Sequence, residues 1–150
     1  PQVYIRESRR MIGEYIMTQK DIEKETTKKH SIGLGSYSLD SHHVQRLINE
    51  DGELINEGNF TIQVAGPYEI PFEAILPKRN ECSNLLVPVC LSSSHVAFGS
   101  IRMEPVFMVL GQSAATAAAL ALSEKVDLHD LNYDLLEEHL LKAGQLFKVK

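Results

Sequence analysis

The chain has no tryptophan, and its aromatic complement is five Phe and five Tyr in 150 residues. A dedicated carbohydrate-binding platform is built on exposed aromatic rings, so this scarcity speaks against one. Cysteine is equally sparse. Cys82 and Cys90 lie eight apart and neither belongs to a C-x-x-C pair, which leaves out a structural zinc site and leads us to expect two reduced thiols. Basic residues are not in excess: 15 Lys+Arg stand against 20 Asp+Glu, for a net charge of −5. A general nucleic-acid binder needs the opposite balance to displace counterions from phosphate. The chain begins at Pro1 and shows no basic-then-apolar leader. We expect a piece of a longer protein, which leaves the compartment open. The longest apolar stretch, residues 105–122, is interrupted by Gln112, Ser113 and Thr116 and is short for a membrane span. Internal repeats and low-complexity tails are absent.

What is present reads as strands followed by helices. Residues 2–6 and 11–17 read as strands, and 21–29 as a polar surface turn. Residues 31–39 read as a strand with a bulge at its glycines, and 44–48 as a short strand. Asp51-Gly52 marks a hairpin turn, since both residue types tolerate positive φ. Residues 60–64 alternate as a strand should. Pro67, Pro71 and Pro77 then suit edge strand and loop, because proline cannot donate to a ladder. Residues 85–89 are a short apolar run, expected as a buried strand, followed by a polar loop through His95.

A long helix is expected from Pro105 to Glu124, with proline in its first turn. Gly111, Ala115 and Ala119 recur at four-residue spacing along it and would let a neighbour approach closely. A last helix is expected over 133–143, capped by Asp130 or Asn132 and stopped at Gly144. The fold class is therefore α+β. We divide it into a β-rich, substrate-domain-like region, 1–83, and a strand–loop–helix unit with its closing helix, 84–150.

The chemistry-bearing residues are few. Asp40, His42 and His43 form D-S-H-H, in which Asp40 and His42 fall on one strand face and suit an acid–base pair with Asp40 orienting His42. A structural hydrogen-bonded pair is the bland alternative, and a metal site would need ligands from elsewhere. His95 precedes the long helix, where it either fixes a loop or serves a substrate. Arg6, Arg9 and Arg10 concentrate charge at the start of the chain, either as a solvated edge or as a clamp for an acidic or hydroxyl-rich substrate. Arg102 beside Met103 and Glu104 is either a surface ion pair or an anion contact.

Four segments in order, YIRESRRMIGEYIMTQKD, SIGLGSYSLDSHHVQR, PYEIPFEAILPK and GSIRMEPVFMVLGQSAATAAALA, resemble the FAD-dependent oxidoreductase family, whose members often carry a xanthan lyase label. The resemblance covers nearly the whole chain. It implies an FAD domain split in sequence, with a glycine-rich βαβ unit nearer the N-terminus holding the pyrophosphate. This chain has no G-x-G-x-x-G after a strand, and GLGSY at 33–37 is too short to replace it. The expectation is thus a C-terminal portion lacking its Rossmann half, which would be its partner. Such a portion would be inactive alone and would bind FAD poorly.

The resemblance further implies that Arg102, Met103, Gly111, Gln112 and Ser113 contact the flavin. The parent would act on a sugar, polyol or related small molecule, with a homo-oligomer possible. One departure from the family is the segment Val87-Pro88-Val89-Cys90, where a glycine and a charged residue are usual near the ribityl chain. A carbohydrate-processing lyase or binding module is the runner-up.

Overall fold

A computed structural model describes residues 9–149. The expected strand at 2–6, and Arg6 with it, lie outside the described residues. The architecture is α+β, with three two-stranded antiparallel sheets and a long helix followed by a C-terminal helix.

The first sheet pairs β1 (Ser31–Gly35) with β6 (Tyr68–Pro71). Its register shifts between Ser31 and Gly33, where the glycine-bearing strand was expected to bulge. The second pairs β2 (Leu39–Ser41) with β5 (Phe60–Ile62), and the third pairs β3 (Gln45–Ile48) with β4 (Leu54–Glu57). The turn of the third is the expected Asp51-Gly52, with Gly52 at φ +82° and its N–H donating to Asn49 O at 3.0 Å. Residues 31–39 were expected as one strand. They divide between two sheets, because residues 36–38 leave the β1 ladder before β2 begins.

The helices are α1 (Gln19–Ile22), α2 (His95–Ile101), α3 (Glu104–Glu124) and α4 (Tyr133–Lys142). α3 starts one residue before Pro105 and ends on Lys125 in the left-handed conformation, φ +56°. α4 is capped by Asn132, whose side chain accepts from Asp134 N, and stops at Gly144, φ +73°. Its apolar stripe buries Leu136 and Leu140.

One contiguous core runs through these elements. It draws Ile32, Tyr68, Ile70 and Ile75 from the first half, and Phe98, Ile101, Leu110, Ala117, Leu136 and Phe147 from the second. Polar groups inside it tie distant segments together, although Ser93 Oγ, His129 Nδ1 and Gln145 Oε1 are buried without a hydrogen-bond partner among the described residues. Ser113 Oγ donates to Ile32 O at 2.7 Å and accepts from Gln145 Nε2 at 2.6 Å, tying α3 to β1. Asp21 and Lys28 form a buried ion pair, to which Tyr15 OH and Thr18 N add hydrogen bonds at 2.6 Å. Burial opposes ionisation of Asp21. The donors Lys28, Thr26, Tyr15 and Thr18 outweigh it and hold the carboxyl far below the ordinary carboxylate range.

Further expectations need correction. The stretch 21–29, expected as a polar surface turn, buries Asp21 and the Lys28 side chain. Residues 11–17 form no ladder; they make two isolated bridges, Gly13 to Pro77 and Met17 to Ser93. Their amides go to two different segments (Met11 N to Cys90 O, Tyr15 N to Glu73 O), so no single strand faces them. Residues 85–89 are loop rather than buried strand: Leu85 is 47% exposed, and Pro88 has no N–H to give a ladder. His95 lies in a helix rather than a loop, as the first residue of α2.

Candidate active site

The seam between α2 and β2 is set by a glycine. A Cβ on Gly99 would lie 2.6 Å from Asp40 O and 3.4 Å from Asp40 N, so only glycine allows the two backbones to approach this closely. Ser94 opens α2 by accepting from Ala97 N at 3.2 Å. Tyr68 and Ser100 then fix it to the core, with a hydrogen bond of 2.7 Å between their hydroxyls. Burial pushes the Tyr68 phenol well above the usual tyrosine range, so it stays protonated and binding.

Across this seam Arg102, at the end of α2, meets Asp40. Arg102 Nη2 donates to Asp40 Oδ2 at 2.9 Å and to Asp40 O at 3.3 Å, and its Nε donates to Gly99 O at 3.3 Å. The side chains are 5% and 15% exposed, so the pair is largely desolvated. Thr61 on β5 donates to Asp40 Oδ1 at 3.0 Å. The carboxylate is therefore occupied on both oxygens. Asp40 orients Arg102, and the expectation that it orients His42 is corrected by this geometry.

Beside the pair opens a cavity of about 170 Å³. Arg10, Asp40, His42, His43, His95 and Arg102 all line it. Arg10 lies over the Phe98 ring, 5.4 Å from its centre, and donates Nε to Ser93 O at 3.2 Å. Phe98 is backed by Phe107, ring centres 6.3 Å apart, so α2 and α3 share one aromatic wall. His42, His43 and His95 are exposed, and their rings make no hydrogen bond to a described residue. Such imidazoles can take up or release a proton at a bound ligand, while the Arg102–Asp40 pair fixes the floor.

Asp40, His42, His95, Arg10 and Arg102, singled out from separate stretches of sequence, are thus brought together. Other candidates are not. Met103 is half-buried at the N-cap of α3 and Arg9 is exposed. Gly111, Gln112 and Ser113 sit inside the helical ladder. α3 begins at Glu104 and its first bond, Phe107 N to Met103 O, closes before Gly111, so the helix does not open there. Their amides are spent within the helix. The Gly111, Ala115 and Ala119 face points away from the described core. α3 packs through Val106, Leu110, Ser113, Ala114 and Ala117, and a Cβ at Gly111 would meet nothing within 4 Å. Met108 and Leu122, on the outer side, are 74% and 80% exposed. By length and composition α3 could also cross a membrane.

Sequence reasoning missed Gly99, Phe98 and Thr61. Gly99 was legible only as a helix breaker, and the S-x-x-A start of α2 carried no acidic residue to announce a cap. It also missed a second cavity of about 600 Å³, lined by Glu14, His30, Glu73, His129 and Tyr133 among others. There His30 Nδ1 pairs with Glu73 Oε1, and Tyr133 OH donates to Ser31 O at 2.6 Å. No group of three or more His, Cys, Asp or Glu among the described residues is placed to hold a metal ion.

Comparison with known proteins agrees with the resemblance read from the four segments. A family model described as FAD dependent oxidoreductase matches residues 1–140. No curated protein and no solved structure matches the chain. Nothing in the match supports a lyase. The order of segments, the α+β fold and a match along nearly the full length agree, and the chain belongs to the FAD-dependent oxidoreductase family.

Proposed function

We propose that the α2–β2 cavity is the substrate-side wall of a flavin site, and that other polypeptide, carrying the dinucleotide cradle, docks on the open face of α3. The observation that carries this reading is the convergence of Arg10, Asp40, His42, His95 and Arg102 on one cavity.

The described residues fit one edge of FAD and not the whole dinucleotide. The sole Gly-x-Gly, Gly33-Leu-Gly35, is filled. A Cβ on Gly35 would lie 2.4 Å from Tyr68 Oη, and one on Gly33 would lie 3.1 Å from Leu110. Neither can receive a pyrophosphate. The cavity, at about 170 Å³, is smaller than the roughly 300–1,000 Å³ of a complete small-molecule site. Its described donor set suits a polar, electron-rich edge: guanidinium and imidazole, with the one carboxylate among the described lining residues already paired.

When bound, FAD supplies the two-electron acceptor for a hydride leaving a substrate C–H. The chain's own residues bind and orient. His95 or His42 takes the hydroxyl proton as the C–O bond becomes C=O, Arg102 stays fixed by Asp40, and Phe98 with Phe107 shields the wall from water. The substrate class on this reading is a sugar, polyol or related alcohol.

The test uses the chain joined to the coding sequence upstream, purified with its flavin. Anaerobic bleaching by candidate sugars, sugar acids, sugar phosphates and polyols is measured for the wild type, His95→Gln and His42→Gln. Loss of a positioned general base should slow bleaching by about 100-fold or more in at least one variant, with flavin retained. Unchanged bleaching in both variants would refute the assignment.

A further inference from the structure

We infer that the substrate held at the α2–β2 cavity carries an anionic oxyacid group, a carboxylate or a phosphate, next to the hydroxyl that is oxidised. This rests on the reading of that cavity as the substrate site. The reason is charge on a small wall. The protein as a whole is acidic, at −5. Yet among the described residues the titratable and charged groups lining this cavity are Arg10 ahead of the first strand, Asp40 on β2, His42 and His43 between β2 and β3, His95 on α2 and Arg102 at its C-cap. Asp40 is the one carboxylate among them. Its Oδ2 accepts from Arg102 at 2.9 Å and its Oδ1 from Thr61 at 3.0 Å. Among the described residues an incoming anion therefore meets no carboxylate that lacks a partner, and it meets three imidazoles from two different segments.

A neutral sugar or polyol offers hydroxyls, which asparagine, glutamine or carboxylate side chains bind through paired donor and acceptor sites. Among the described lining residues none is an amide, and the one carboxylate is spent. Protonated imidazoles are instead donors to an anion, and charge-assisted bonds are about twice as strong as neutral ones. With room for about 170 Å³, the cavity accommodates the acid group and the adjoining carbinol rather than a whole oligosaccharide.

The test needs no flavin. The chain is titrated calorimetrically with D-glucuronate, D-glucose 6-phosphate and D-glucose at pH 8 and pH 5.5, alongside His42→Gln, His95→Gln and, as a distant surface control, His139→Gln. We expect one or both anions to bind about tenfold or more tightly at the lower pH. Glucose should not bind. The gain should shrink in His42→Gln or His95→Gln and persist in His139→Gln. The tighter of the two anions distinguishes carboxylate from phosphate. Glucose binding as well as the anions, anion affinity independent of pH, or no binding by any of the three would each overturn the inference. A colourless parent protein would sink the redox reading while leaving anion binding intact. Absent anion binding with base-dependent bleaching would do the reverse.

Discussion

Gly99→Ala and Gly111→Ala make the same chemical change in two helices and should move stability in opposite directions. At Gly111, in α3, nothing lies within 4 Å of the new methyl. The substitution removes only the conformational freedom of glycine, and helix propensity favours alanine by about 0.8–1 kcal/mol. At Gly99 the methyl would sit 2.6 Å from Asp40 O, a backbone atom that cannot rotate away. Restoring an ordinary C···O contact of about 3.3 Å needs a separation of roughly 0.7 Å between α2 and β2. Overpacking of this kind costs about 1–3 kcal/mol, against a propensity gain of at most about 1 kcal/mol near the end of a short helix. The net should be a loss of about 1 kcal/mol. Urea unfolding of the two variants at pH 7, followed by circular dichroism, reads both. We expect the Gly111→Ala midpoint to rise and the Gly99→Ala midpoint to fall, with Tm shifts of about 2–4 °C per kcal/mol. A Gly99→Ala protein as stable as Gly111→Ala would refute the close approach of α2 to Asp40, and with it the placement of His95 and Arg102.

Arg102→Met removes the partner of a largely buried Asp40 and should destabilise by about 3 kcal/mol, read by denaturant midpoint. Tyr68→Phe deletes the hydroxyl bonded to Ser100 Oγ, which keeps its bond to Tyr37 O; a loss of about 1 kcal/mol is expected in the same assay. Asp21 has a depressed carboxyl pKa in the folded chain, so its contribution is fully present above the unfolded value of 3.8 and is lost as pH falls towards the folded value. Asp21→Asn should therefore cost about 3 kcal/mol near pH 7, and the gap to wild type should narrow below about pH 4. A gap that is constant down to pH 2 would contradict the buried pair.

The helices that could be read were those with strong local signals. α3 had proline in its first turn and a long run of helix formers, and α4 had Asn132 and Gly144 at its ends. The β3–β4 hairpin was announced by Asp51-Gly52. α2 was illegible because seven residues containing Gly99 carry too little periodicity, and the glycine answers to β2, a segment about sixty residues away. The run at 85–89 looks like a core strand because apolar residues say nothing of where their amides go; Pro88, which cannot donate to a ladder, is the local mark against it. In the site, residue types pointed to Asp40, His42, His95 and the arginines, whereas the pairing of Asp40 with Arg102 rather than His42 depends on a crossing that no local spacing encodes. The small-residue stripe of α3 suggested a close-approach face, but no described residue approaches it: a Cβ at Gly111 would meet nothing within 4 Å, and α3 packs through another face.

The proposal that this chain walls a flavin whose dinucleotide cradle lies elsewhere is tested most directly by FAD titration, followed by fluorescence quenching, of two proteins: this chain alone and the same chain joined to its upstream coding sequence. We expect the longer protein to purify yellow or to take up one FAD per chain, and the shorter to bind FAD weakly. A longer protein that stays colourless and ignores added FAD, or a short chain that binds FAD as tightly as the long one, would contradict it.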